Sequence, residues 1–160
     1  MHLFLVRIFL VFLFIFYNCS SSTKFKKLNR PTENFSNFYL LRPFTPALAL
    51  WKFEIQILKY KDKFDSKEIP ELVKKFKMGV GDYIHLKLPK GYYKLSSPYF
   101  GDSDKIIFLD GKSEFFFHYY LFTGSYFSKT ELFFQEIKKE EALEYLLEGN
   151  NMIKHELSDH

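Results

Sequence analysis

The sequence predicts a mainly β fold, an antiparallel β-sandwich with one C-terminal helix, preceded by a signal peptide. Three observations lead there. Short segments alternate apolar and polar side chains with the period of two that sets one face of a sheet on a core and the other in water. Pro-x-Gly and Asp-Gly sequences fall between those segments, where turns are needed. Aromatic residues form 21% of the 160 residues, with 21 Phe and 11 Tyr, a content suited to pleated surfaces. A chain of this length suits one domain with one sizeable core.

The N-terminus reads as a targeting segment. Residues 1–7 supply a short leader with one positive charge at Arg7, and Ile8 to Tyr17 form an apolar run of ten residues. A secretory core is about 7 to 15 residues long, whereas a membrane-spanning helix needs about 20. Residues 1–18 are therefore expected to be a signal peptide, with an uncleaved N-terminal helical anchor as the alternative. Cys19, the single cysteine, stands where the apolar run stops. A lone cysteine cannot close an internal disulfide, so its presence in an exported chain asks for another reason. The stretch Phe16-Tyr17-Asn18-Cys19 resembles a bacterial lipobox, with Phe16 where Leu is usual and Asn18 where Gly, Ala or Ser is usual. That resemblance implies a diacylglycerol on the Cys19 sulfur, cleavage before Cys19 and a fatty acyl chain, such as palmitate, on the freed amine. Residues 19–36 then read as a polar tether, and two or three acyl chains would anchor stably where one does not.

Strands are expected from residue 37 onward. Tyr39 to Arg42 lie in "FYLLRPF" (38–44), and Trp51, Phe53, Ile55 and Ile57 alternate with Lys52, Glu54 and Gln56 in 51–57. In 82–89, Ile84, Leu86 and Leu88 face one way, and Tyr83, His85 and Lys87 face the other. Further strands are expected at 73–78, 91–97, 105–110, 112–122 and 129–137. Leu88-Pro89-Lys90-Gly91 fits a type I turn, and Asp110-Gly111 is a two-residue hairpin signal. The segment 59–72 is longer than the connection between neighbouring strands requires.

One helix follows in "KKEEALEYLLEG" (138–149), with Glu140 and Glu141 in its first turn, a stripe of Ala142, Leu143, Leu146 and Leu147, and Gly149 as its stop. The strand before it is apolar on both faces: Phe115, Phe117, Tyr119 and Leu121 on one, Phe116, His118, Tyr120 and Phe122 on the other. Either the helix packs over the second face, which its own apolar stripe favours, or that face is a patch for a partner or membrane. Residues 37–149 are thus the expected sandwich domain with its helix, and 150–160 a flexible tail.

This arrangement resembles the bacterial lipoprotein family known as domain of unknown function 2846. The resemblance rests on Tyr39 to Pro43 against a "YVYRP" strand, on Tyr83 to Tyr93 against a "yf.l.LPPGkY" element with Lys90 at the second Pro, and on Glu140 to Leu147 against an "EEAL..L" helix. It covers roughly 37–149 and implies a prealbumin-like or Ig-like sandwich on a lipid tether, without enzymatic activity.

Reaction chemistry is not legible in the chain. Gly79 to Tyr83 carries the first two glycines of a dinucleotide loop but no third glycine and no following helix, so a hairpin or bulge is expected. His85 and His118 lie on separate strands without spaced ligand partners, and His2, His155 and His160 lie in the leader or tail. Asp102, Asp104 and Asp110 lack the ligand series and closing Glu of a calcium loop. Ser96 and Ser97 sit in no nucleophile elbow. "KFKK" (24–27) is most simply tether, with contact to anionic head groups as a second reading. Net charge is +4, or +3 (22 basic against 19 acidic) once residues 1–18 are set aside, too mild for nucleic acid.

The expectation is accordingly a lipid-anchored envelope lipoprotein at a membrane, outer membrane favoured, whose sandwich is a non-enzymatic interaction module for an envelope protein partner. No cofactor or metal is expected. A carrier of an apolar small molecule between the sheets or under the helix is the second reading, and an enzyme the third.

Overall fold

A computed structural model describes residues 23–45, 49–122, 130–149 and 152–154. The apolar leader, Asn18 and Cys19 lie outside the described residues. Among the described residues ten strands run in chain order: β1 (Thr23–Lys24), β2 (Phe35–Leu41), β3 (Phe53–Lys59), β4 (Glu71–Met78), β5 (Asp82–Pro89), β6 (Gly91–Ser96), β7 (Lys105–Leu109), β8 (Glu114–Phe122), β9 (Glu131–Glu136) and β10 (Ile153–Lys154). A helix, α1 (Lys139–Glu144), runs into a wider π-helical turn at Tyr145–Gly149.

The strands form two sheets, one ordered β1-β10-β5-β2-β8-β9 and the other β4-β3-β6-β7. Their facing sides supply the main core. Phe38, Leu40, Ile84, Leu88, Phe117, Tyr119, Leu132 and Phe134 come from the larger sheet, and Ile55, Ile57, Phe76, Met78, Tyr93, Leu95, Ile107 and Leu109 from the smaller. The period-two reading thus matches the faces of β5, of β8 and of β3 from Phe53 on, whereas Trp51, expected in the same stripe, falls before β3 and is 63% exposed; the mainly β sandwich follows from burying those stripes against each other.

Most ladders are antiparallel, but β2 pairs with β8 in parallel, and β10 with β5 likewise. The fully antiparallel expectation is corrected there. The cause is the connectivity: the chain changes sheet at β2–β3, β4–β5, β5–β6 and β7–β8, so strands distant in sequence become neighbours. Two turn expectations change with it. Asp110-Gly111 makes a tight turn, with Gly111 at φ +80° and the Asp110 carboxylate accepting from the Lys112 and Ser113 amides, but it joins strands of different sheets rather than a hairpin. The Gly79–Gly81 turn likewise carries the chain between sheets, with the Asp82 carboxylate accepting from the Gly79 amide. True hairpins are β3–β4, β6–β7 and β8–β9. The long segment after Lys59 is the loop of the first of these, and the register of β3 on β4 shifts between Ile57 and Leu58.

A second, smaller core covers the outer face of the larger sheet. Tyr39, Leu41, Tyr83 and Phe116 meet Ile137, Ala142, Leu146 and Met152, with Phe25 and Leu28 packed against them. The helix therefore covers part of the outer face of β8, as its stripe suggested, and the salt bridge from Lys139 to Glu114 ties its start to that strand. Cover ends before the strand does, since Phe122 is 57% exposed. Leu147, expected in the stripe, is exposed, because the wider turn after Glu144 shifts later residues round the axis. Segments read as tether and tail carry structure as well: β1 pairs with β10, and Phe35 and Ser36 begin β2.

Candidate functional site

The N-terminal segment crosses the outer face of the larger sheet and leaves a groove beside it. Its entry is fixed by the β1–β10 ladder and by the Phe25 amide donating to the Met152 carbonyl. Phe25 meets Tyr83 edge to face, at 5.7 Å between ring centroids. Four residues on, Asn29 closes a polar network: its amide N–H donates to the Tyr39 hydroxyl, its side-chain Nδ2 to His85 Nδ1, and its carbonyl accepts from Asn37 Nδ2. His85 Nε2 in turn donates to Asn37 Oδ1 at 2.9 Å. Because Nδ1 accepts and Nε2 donates, the network assigns His85 as the neutral Nε2–H tautomer.

The groove encloses about 240 Å³. Tyr39 and Tyr83 line its buried floor beside His85, and the exposed side chains of Lys24, Lys26, Lys27 and Lys154 surround it. None of its lining side chains is acidic. His85 stacks on Tyr39, which stacks on Phe116. Burial, aided by Lys154 and Lys87, pushes the His85 imidazole down to about 4, so it stays uncharged at neutral pH and the positive charge of the groove belongs to its lysines. Burial also raises Tyr39 and Tyr83, which keeps both hydroxyls protonated.

His118, on the same outer face, does not join this network. Its ring lies against Tyr120 and Tyr145, and Nδ1 is buried without a hydrogen bond among the described residues. Burial lowers its pKa against an opposing pull from Glu141. The aspartates serve structure: Asp104 pairs with Lys94, and Asp110 caps the turn before β8. Ser97 is buried and donates to the Glu54 carbonyl. Among the described residues no group of three His, Cys, Asp or Glu is placed to hold a metal ion, and no helix is long and apolar enough to cross a membrane.

Sequence reasoning gave "KFKK" a charge and left it in a tether; it did not bring Lys154, Tyr39 or His85 to it. The network through Asn29 and Asn37 was also missed. A polar "SN" pair ahead of "FYLL" was the available signal, since a fully buried Asn37 needs partners for its amide. Arg42 lies inside the Tyr39 to Pro43 motif, whose sequence assigns it no role. It is buried, its Nη1 donates to the Trp51 and Met78 carbonyls, and its guanidinium lies over the rings of Phe53 and Tyr119. In comparisons with protein-family models, characterised proteins and solved structures, nothing matches this chain.

Proposed function

We propose that the protein is a lipid-anchored envelope lipoprotein, carried on Cys19, whose sandwich is a non-enzymatic interaction module held against the membrane. One observation carries this reading: Thr23, only four residues after the cysteine, is already paired to Lys154 in the larger sheet. At about 3.3–3.6 Å per residue, that connection spans at most about 14 Å. An anchor at Cys19 would therefore present the β1 edge of the larger sheet to the bilayer instead of leaving the domain on a long leash. The ten-residue apolar run before it suits a cleaved leader better than a spanning helix. The resemblance to the domain of unknown function 2846 lipoproteins agrees with this reading. An apolar carrier is less favoured, since Phe38, Tyr93, Phe117 and Tyr119 fill the space between the sheets that cargo would need.

The test is the chemical state of the N-terminus in a bacterial host with the lipoprotein pathway. Wild-type protein should partition into detergent and give an N-terminal peptide starting at Cys19 with diacylglyceryl and acyl mass added. Cys19→Ala should accumulate uncleaved and without lipid. A wild-type membrane peptide that crosses Asn18 and Cys19 with a free thiol would overturn the proposal in favour of an uncleaved helical anchor.

A further inference from the structure

We infer that the groove beside the N-terminal segment is a docking surface for anionic lipid head groups, its lysines holding the phosphodiester oxygens of the bilayer in which the chain is anchored. This rests on the lipoprotein reading for its choice of partner and on the groove's own geometry for its chemistry. Lys24, Lys26 and Lys27 come from one segment and Lys154 from the strand paired to it, so the fold gathers four cations from opposite ends of the sequence onto one concavity. All four are exposed, and none of the residues lining the groove offsets them with a carboxylate.

The partner follows from position. The segment bearing three of the lysines continues directly from the three serines that join β1 to Cys19, so whatever surface holds that cysteine lies within reach of the groove. Each lysine at an anionic leaflet strengthens association by roughly fivefold, and the attraction fades within a Debye length of about 10 Å at 0.1 M salt. A connection of at most about 14 Å keeps the groove within one to two Debye lengths of the leaflet, close enough for the attraction to act. Docking would turn the anchored sandwich to one fixed face, with the smaller sheet directed away from the bilayer.

Lysine footprinting of the full mature chain tests this. The protein is reconstituted in vesicles of phosphatidylglycerol and phosphatidylcholine in equal parts, or of phosphatidylcholine alone, and acylated with an amine-reactive ester. Lys75 and Lys77, exposed on β4 of the smaller sheet, serve as the internal reference, and Lys63 and Lys67 are exposed in the loop between β3 and β4. Labelling of Lys24, Lys26, Lys27 and Lys154 should fall at least about threefold on the anionic vesicles and recover in high salt. The charge reversals Lys26→Glu and Lys154→Glu, made together, should abolish the difference, while Lys63→Glu with Lys67→Glu, the same change in net charge, should leave it. Equal labelling on both surfaces by a chain whose N-terminal mass shows the lipid would overturn the docking surface and leave the anchor standing. Loss of protection by the loop pair as much as by the groove pair would also overturn it, leaving net charge as the cause. The same protection by inorganic phosphate without vesicles would overturn the membrane as partner in favour of a soluble anion. Protection on anionic vesicles by a chain without lipid would support the groove and overturn the anchor.

Discussion

His85 shows how one side chain links the sheet to the segment lying over it. It accepts from Asn29 at Nδ1 and donates to Asn37 at Nε2, an arrangement open only to the neutral ring. A second proton would set a donor at Nδ1 against the Asn29 amide. Its pKa is lowered to about 4, chiefly by burial and then by Lys154 and Lys87, while the unfolded chain titrates near 6.5. Between those values the unfolded state binds more protons, so stability contributed by His85 is present above about pH 6.5 and is lost as pH falls toward about 4. Allowing for the ring's partial exposure, we predict a loss of about 1 kcal/mol from this residue across that window. Urea midpoints at neutral and acid pH will measure it, and His85→Gln should flatten the slope without removing the part due to His118, which has the same sign. An unchanged slope in the variant would mean that His85 is not held neutral. The histidine was visible in the sequence, but its partners lie 56 and 48 positions away, a separation that no local pattern reports.

The corner between β5 and β6 shows why the Pro-x-Gly-x-Tyr sequence reads so clearly. Pro89 ends β5 and its carbonyl accepts from the Tyr93 hydroxyl at 2.8 Å, while Gly91 opens β6 at φ +155°. The residues act in different physical ways. The ring of Tyr93 fills the core, its hydroxyl holds the corner closed, and the glycine admits a backbone angle that other residues avoid. The sequence placed a turn there, and the structure shows that it turns between sheets. We predict that Gly91→Val lowers stability by about 1–3 kcal/mol through backbone strain. A Cβ at this position would lie 3.0 Å from Lys59 Cε, the mobile end of a long side chain that can move aside, so crowding is the smaller effect. Gly91→Ala should therefore lose nearly as much as Gly91→Val in thermal melts. An unchanged melting temperature in both would remove the backbone explanation. At this scale β5 matched the alternation of its sequence from Asp82 to Pro89, whereas β8 needed the helix before its two apolar faces made sense. The two-residue strands β1 and β10 were illegible, since two residues show no period.

Those two short strands matter most for the whole molecule, because they close the larger sheet and hold up one wall of the groove. In the order β1-β10-β5, the C-terminal segment stands between the N-terminal segment and the rest of the sheet. Met152 is buried at 1% exposure in the second core, and the Ile153 amide donates to the Gly81 carbonyl at the sheet crossing. The main core draws on neither segment, so the sandwich does not depend on them for its own burial. We predict that ending the chain after Gly149 leaves the sandwich folded but less stable by about 1.5–3 kcal/mol, the contribution of one buried Met-sized side chain. It should also free β1, and Lys24, Lys26 and Lys27 should then be cut by trypsin well before any site in the sandwich, because cleavage under native conditions follows local opening. In the intact chain the same bonds should resist for longer, with Phe25 and Leu28 packed against the second core. Limited proteolysis read by mass spectrometry, beside a thermal melt by circular dichroism, separates the two effects. Equal cleavage at Lys24–Lys27 in both chains would show that β10 does not secure the N-terminal segment, and loss of the β spectrum on truncation would show that the sandwich depends on its last strand.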